Sequence, residues 1–230
     1  MRIGYGAALA VLLAGCNGAA GGNDATAGNG AAAGNMLHTT SDRRPDAARE
    51  KPIPCSVQAH GMGGALREAP QPAACDDSVD PQTIALDELI RIVPDQHPAF
   101  YYILANRLFA ANRREEAVFW LYAGQLRYRI RLSCHPDLRP DIEPALFGSL
   151  HETVGRQINE YAFGDLPALL ATLERALAWD AATHNGFEPK APCATAITQQ
   201  RQGMGQLVAQ VRDNGDELRR QRAANGLPNR

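Results

Sequence analysis

Lysine is almost missing from this chain: of 23 basic residues only Lys51 and Lys190 are lysines, and the rest are arginine. The 25 acidic residues leave a formal net charge of −2, so no overall basic field advertises nucleic acid as a partner. No apolar run approaches the ~20 residues that a helix needs to cross a bilayer. Several catalytic signatures are missing as well. His151-Glu152 has Gly155 where a zinc-protease helix would carry its second histidine. Gly61-Met62-Gly63-Gly64 lacks the lysine of a phosphate loop. No Gly-x-Ser-x-Gly elbow is present. Asp137, Asp141 and Glu143 are interrupted by prolines and lack the central glycine of a calcium-binding loop. There is no Cys-x-x-Cys, and Cys134-His135 has no ligand partners at nearby spacing, so no metal and no cofactor is expected. Apolar residues make up 45% and charged residues 21%, which is ordinary globular composition.

What is present begins at the N-terminus. Met1-Arg2 leads into Ala7-Ala8-Leu9-Ala10-Val11-Leu12-Leu13, then Ala14-Gly15-Cys16. The run is short and has the shape of a signal peptide, expected over residues 1–15. Leu13-Ala14-Gly15-Cys16 resembles the lipobox of bacterial lipoproteins. The resemblance implies cleavage before Cys16, lipidation of that cysteine (palmitate among its acyl chains) and a membrane anchor. Asn17 in the next position resembles the pattern for outer-membrane retention, with the protein facing the periplasm. Residues 16–51 are dominated by Gly, Ala, Asn and Thr. They are too poor in large apolar side chains to offset chain entropy, so a flexible linker is expected. Such a coil reaches roughly 30–35 Å.

Beyond Cys16 the sequence holds Cys55, Cys75, Cys134 and Cys193. An even number outside the reducing cytosol points to disulfides, and four cysteines allow three pairings. The helix pattern favours one of them. Leu146, Leu150, Val154 and Ile158 form one stripe, and Leu166, Leu169, Leu170, Leu173 and Leu177 form a second. Gly164 and Asp165 stand between as helix stop and N-cap. The two should make an antiparallel hairpin whose outer ends bring Cys134 to Cys193, leaving Cys55 with Cys75.

The remaining pattern is helical throughout. Asp80-Pro81 reads as an N-cap with proline in the first helical position, ahead of Leu86, Leu89, Ile90 and Val93 on one face. The run Glu115–Arg129 is apolar on nearly all sides, as expected of a helix at the centre of a fold. Gly124 within it would let a neighbouring backbone come close. Tyr101, Leu104, Ala105, Leu108, Ala117, Leu121 and Gly124 fall at the large and small positions of one tetratricopeptide repeat, which this stretch resembles, although its closing proline is missing. The expected fold is all-α: a compact bundle of helical hairpins, about five to six helices, tetratricopeptide-like in part and disulfide-stapled. It forms a single domain over residues 52–225, followed by a tail at 226–230.

Two groups of side chains invite a functional reading. Arg127, Tyr128, Arg129 and Arg131 close the central helix. Tyrosine and arginine are common interface anchors, which suggests a patch for an acidic protein partner. His151, Glu152 and Glu160 are the least implausible acid–base set for a hydrolase of envelope substrates. The nine positions between His151 and Glu160 put them on separated faces of an unbroken helix. Asn159–Asp165 and the Glu-Ala-Val-Phe-Trp core resemble a family of uncharacterised bacterial envelope proteins, which implies location and no residue roles. The sequence thus points to a membrane-anchored, periplasm-facing protein-binding module, of the immunity-inhibitor or scaffold kind, without catalytic residues.

Overall fold

The computed structural model describes residues 79–188 and 190–230; the lipobox, the linker and Cys55–Cys75 lie outside them. Every regular element among the described residues is a helix. In order they are α1 (Leu86–Ile92), a 3-10 turn (Val93–Asp95), α2 (Ala99–Ala110), α3 (Arg114–Cys134), α4 (Glu143–Leu150), a π turn (His151–Gly155), α5 (Arg156–Ala162), α6 (Leu166–Ala182), α7 (Lys190–Asp213) and α8 (Gly215–Ala224).

The chain is arranged around α3. Its side chains are buried on nearly every face from Ala117 to Arg131, and α2, α5, α6 and α7 all pack against it. α2 is equally closed in, with Ala99 to Ala105 buried without interruption. The turn between them uses Asn112 at φ 61, a left-handed conformation that asparagine tolerates better than most residues. At Gly124 the two helices approach closely. A Cβ there would stand 2.5 Å from the Cβ of Tyr101, so only hydrogen fits.

The stripe Leu146, Leu150, Val154, Ile158 advances by four residues, whereas a helix turns every 3.6. Over three such steps an unbroken α-helix would swing the last side chain roughly 120° away from the first. The π turn at His151–Gly155 takes up one extra residue and returns Ile158 to the side of Leu146. Leu146, Leu150 and Ile158 are all buried. Asp165 then caps α6 by accepting from the Ala168 N–H at 3.0 Å, as the sequence predicts. The hairpin delivers Cys134 of α3 to Cys193 of α7, and the two are bonded with their Cα atoms 5.2 Å apart.

Two local expectations are corrected. The Asp80 carboxylate accepts from the Gln82 N–H at 2.9 Å and the Thr83 hydroxyl at 3.1 Å. It closes a turn, and α1 begins only at Leu86. The last five residues fold back instead of trailing away. Gly226 takes a left-handed φ of 71, and the Arg230 N–H donates to the Gly164 carbonyl at 2.6 Å.

Candidate functional site

Arg127, Arg131 and His135 follow one another at four-residue steps at the C-terminal end of α3, which puts them on one side of the helix. Carboxylates from distant segments meet them. Arg131 donates through Nε and Nη2 to Glu143 Oε1, at 2.9 and 2.7 Å, and through Nη1 to Glu188 Oε1 at 2.6 Å. The Tyr128 hydroxyl donates to the other oxygen of Glu143 at 2.8 Å. His97 completes the shell, with Nε2 3.0 Å from Glu143 Oε1. Its Nδ1 accepts from the Ala99 N–H at 3.1 Å, so the ring proton sits on Nε2 and points at the carboxylate. His135 Nε2 stands 2.7 Å from Glu188 Oε2. The Arg131 guanidinium also lies over the Phe187 ring at 4.9 Å.

Arg127 is enclosed in the same way. It donates to Asp180 Oδ1 at 3.1 Å and to the carbonyls of Pro94 and Thr183 at 3.1 and 3.3 Å. Its guanidinium lies over the Trp179 ring at 4.5 Å. Asp180 accepts from Arg201 with its second oxygen at 2.8 Å.

The expected docking patch is therefore an internal cluster. Arg127, Tyr128 and Arg131 are 1%, 0% and 3% exposed, each closed off by groups the local sequence does not contain. Arg129 is half-buried, with its guanidinium over the Phe147 ring. Burial pushes the Glu143 carboxyl up, but the hydrogen bonds it accepts from His97 and Arg131 and the charge of Arg131 outweigh it and hold the group at about 2. Burial pushes His97 down, against the pull of Glu143. The cluster has the composition of an acid–base site, yet His97 and Glu143 are saturated by protein groups and sealed from solvent. It ties the lower ends of α2, α3 and α4 to the segment after α6.

His151, Glu152 and Glu160 do not come together. His151 Nδ1 is 3.5 Å from the Gln125 amide nitrogen, and its ring lies beside Phe147. Burial pushes this imidazole down, the Arg129 charge adds to that, and Glu152 opposes it. Glu152 pairs with Arg156 on the surface at 3.1 Å. Glu160 belongs to another place altogether.

That place is an open groove of about 640 Å³ at the N-terminal end of α3. Phe109, Arg114, Gln157, Glu160, Tyr161, Arg222 and Arg230 line it. Two guanidiniums lie over the Tyr161 ring, Arg230 at 3.6 Å and Arg114 at 5.3 Å from its centroid. Its hydroxyl donates to Glu115 at 2.6 Å. Arg222 is 6% exposed, and its Nε has no hydrogen-bond partner. Burial pushes its pKa down while Glu160 pulls the other way. Sequence reading noticed Tyr161 and Glu160 within Asn159–Asp165 but missed Arg222 and Arg230, because nothing local shows that the tail returns. No protein-family model matches the chain, and no curated protein or solved structure matches it either.

Proposed function

We propose that the chain is a bacterial lipoprotein, anchored through Cys16 to the outer membrane and facing the periplasm, whose helical domain binds another protein. The partner is either an envelope-targeted toxin, with this chain as its immunity-type inhibitor, or a component of an envelope machine that it scaffolds. One observation carries the binding part: the groove around Tyr161 is open, and three guanidiniums converge on it, one of them buried with an unpartnered Nε. Tyrosine and arginine dominate binding hot spots, and a segment presenting carboxylates fits the excess of Arg114, Arg222 and Arg230 over the lining Glu115 and Glu160. The α2–α3 hairpin supports the tetratricopeptide-like reading in part. Tyr101, Leu104, Ala105, Leu108, Ala117 and Leu121 are all buried, and Gly124 meets Tyr101 as a small residue against a large one.

The test uses the full-length protein in intact envelopes, with a photo-crosslinking residue at Gln157 beside the groove or at Glu174 on α6. One adduct of defined mass is expected from Gln157, weakened by Arg114→Ala and Arg230→Ala and by raised salt. Equal adducts from both positions, or none from Gln157, would remove the groove from consideration. The anchor is read separately. Cys16→Ala should move the protein out of the membrane fraction, and an unchanged distribution would dispose of the lipid tether.

A further inference from the structure

At the junction of α3 and α7, Cys134, His135, Glu188 and Cys193 each offer one ligand atom, and these four atoms lie within 4.8 Å of one another. Tetrahedral zinc, with Zn–S of about 2.3 Å and Zn–N or Zn–O of about 2.0–2.2 Å, spaces its ligand atoms roughly 3.3–3.8 Å apart. Glu188 Oε2 stands 2.7 Å from His135 Nε2 and 3.9 Å from Cys193 Sγ, so these pairs differ from zinc spacing by well under about 1 Å, and the bonded sulfurs must part. We propose that reduction of the Cys134–Cys193 bond converts this junction into a Zn²⁺ site with those four side chains as ligands.

The donor set is two sulfurs, one imidazole and one carboxylate, a mixture that suits zinc in tetrahedral geometry. The outer shell is already built. Glu188 Oε1 accepts from Arg131 Nη1, leaving Oε2 toward the cysteines, with Cys193 Sγ at 3.9 Å. Arg131 is fixed in turn by Glu143. Outer partners of this kind orient metal ligands and raise affinity. The His135 side chain is 38% exposed, giving the ion a way in. Charge favours the exchange too: Zn²⁺ with two thiolates carries no net charge, as the disulfide does, so the buried Glu188–Arg131 pair is undisturbed. Sequence spacing conceals the set, because 53 residues separate His135 from Glu188 and 59 separate the cysteines.

The chemistry balances with a dithiol as reductant. It passes two electrons and two protons to the Sγ–Sγ bond and ends as its own disulfide. Zn²⁺ then displaces the two thiol protons to solvent. The same helix ends are thus clamped under oxidising conditions by sulfur and under reducing conditions by metal.

The test takes the full chain, reduced anaerobically, and titrates it with Co²⁺ as a spectroscopic stand-in for zinc. Expected are tetrahedral visible bands and a thiolate charge-transfer band that saturate at one equivalent and vanish when Zn²⁺ is added. His135→Ala should weaken binding about tenfold or more, as loss of a ligand or of its support does. Cys55→Ser with Cys75→Ser should leave the spectrum intact. No thiolate band, indifference to His135→Ala, or loss of the spectrum in the Cys55, Cys75 variant would each overturn the proposal. If reduction unfolds the chain, Zn²⁺ must restore its helical circular dichroism, and failure to do so overturns it as well.

Discussion

The two ends of α3 use the same side chains in opposite ways. At the C-terminal end, Arg127, Tyr128 and Arg131 are sealed among Asp180, Glu143 and Glu188. At the N-terminal end, Arg114, Tyr161 and Arg230 stack in an open groove. Residue type does not distinguish them. What distinguishes them is where the carboxylates come from. Glu143, Asp180 and Glu188 arrive from 12 to 57 residues away and are themselves buried. Glu115 and Glu116 are local and exposed, with Glu116 held by Arg113 on the surface. Arg127 and Arg131 are buried with carboxylates that have hydrogen bonds to spare, because an unpaired charge in the interior is expensive. Arg114 and Arg230 are exposed and hydrated, and they pack on aromatic rings without a buried carboxylate.

The comparison breaks first at Arg131. Arg131→Met removes the cation that Glu143 and Glu188 share and leaves two carboxylates buried without it. A loss of about 3–5 kcal/mol is expected, read as a lower urea midpoint. Arg114→Ala should stay within about 0.5 kcal/mol, as exposed substitutions do. Equal losses at the two ends would mean that the sealed cluster does not hold the fold together.

Acid sharpens the contrast. Glu143 is depressed from 4.5 to about 2 in the folded chain, so the unfolded chain binds more protons between those values. Its contribution is fully present above pH 4.5 and is lost as pH falls toward 2, of the order of 3 kcal/mol in all. His97 is also depressed. The unfolded imidazole takes up a proton below its ordinary 6.5 while the folded one resists, so stability starts to decline from that pH downward. Unfolding followed across pH should show a shallow decline from the histidine and a steeper one from the carboxylate. Glu143→Gln should remove the steeper part. A flat profile between pH 5 and 2 would show that the folded carboxylate is not held down.

Both ends of α3 depend on its contact with α2, so a change at the middle should act on the whole domain. Gly124→Ala forces a methyl group to within 2.5 Å of Tyr101 Cβ, and overpacking of this kind destabilises by about 1–3 kcal/mol. Thermal unfolding of this variant would reveal it, and an unaltered midpoint would mean that α2 can slide without penalty.

What could be read from the sequence, and what could not, follows the same division. The apolar periods placed α2, α3 and α6. The Gly164–Asp165 break between the two leucine stripes brought Cys134 to Cys193, because hairpin geometry is local. The π turn was hidden in plain sight, since a stripe of four-residue steps cannot stay on one side of an α-helix. The sealed cluster was unreadable. Nothing near Arg131 announces that Glu143 and Glu188 will close on it, so the helix end looked like a surface patch. The groove was half legible: Tyr161 stood out, while Arg222 and Arg230 depended on a tail that folds back through Gly226.

That returning tail gives the smallest expected effect. The Arg230 guanidinium covers Tyr161 at 3.6 Å and donates to the Tyr161 carbonyl at 3.0 Å. Both contacts sit at an exposed chain end, where a cation–π pair contributes about 0.5–1 kcal/mol. Arg230→Ala should therefore shift the urea midpoint barely, while weakening the adduct formed from Gln157. The pairing of these two readouts decides what the tail is. A small stability change with a lost adduct makes Arg230 a contact for the partner, and the open end of α3 stays different in kind from the sealed one. A loss of 2 kcal/mol or more, outside the range of an exposed pair, makes the tail a structural plug. The two ends would then differ only in how deeply their arginines are buried.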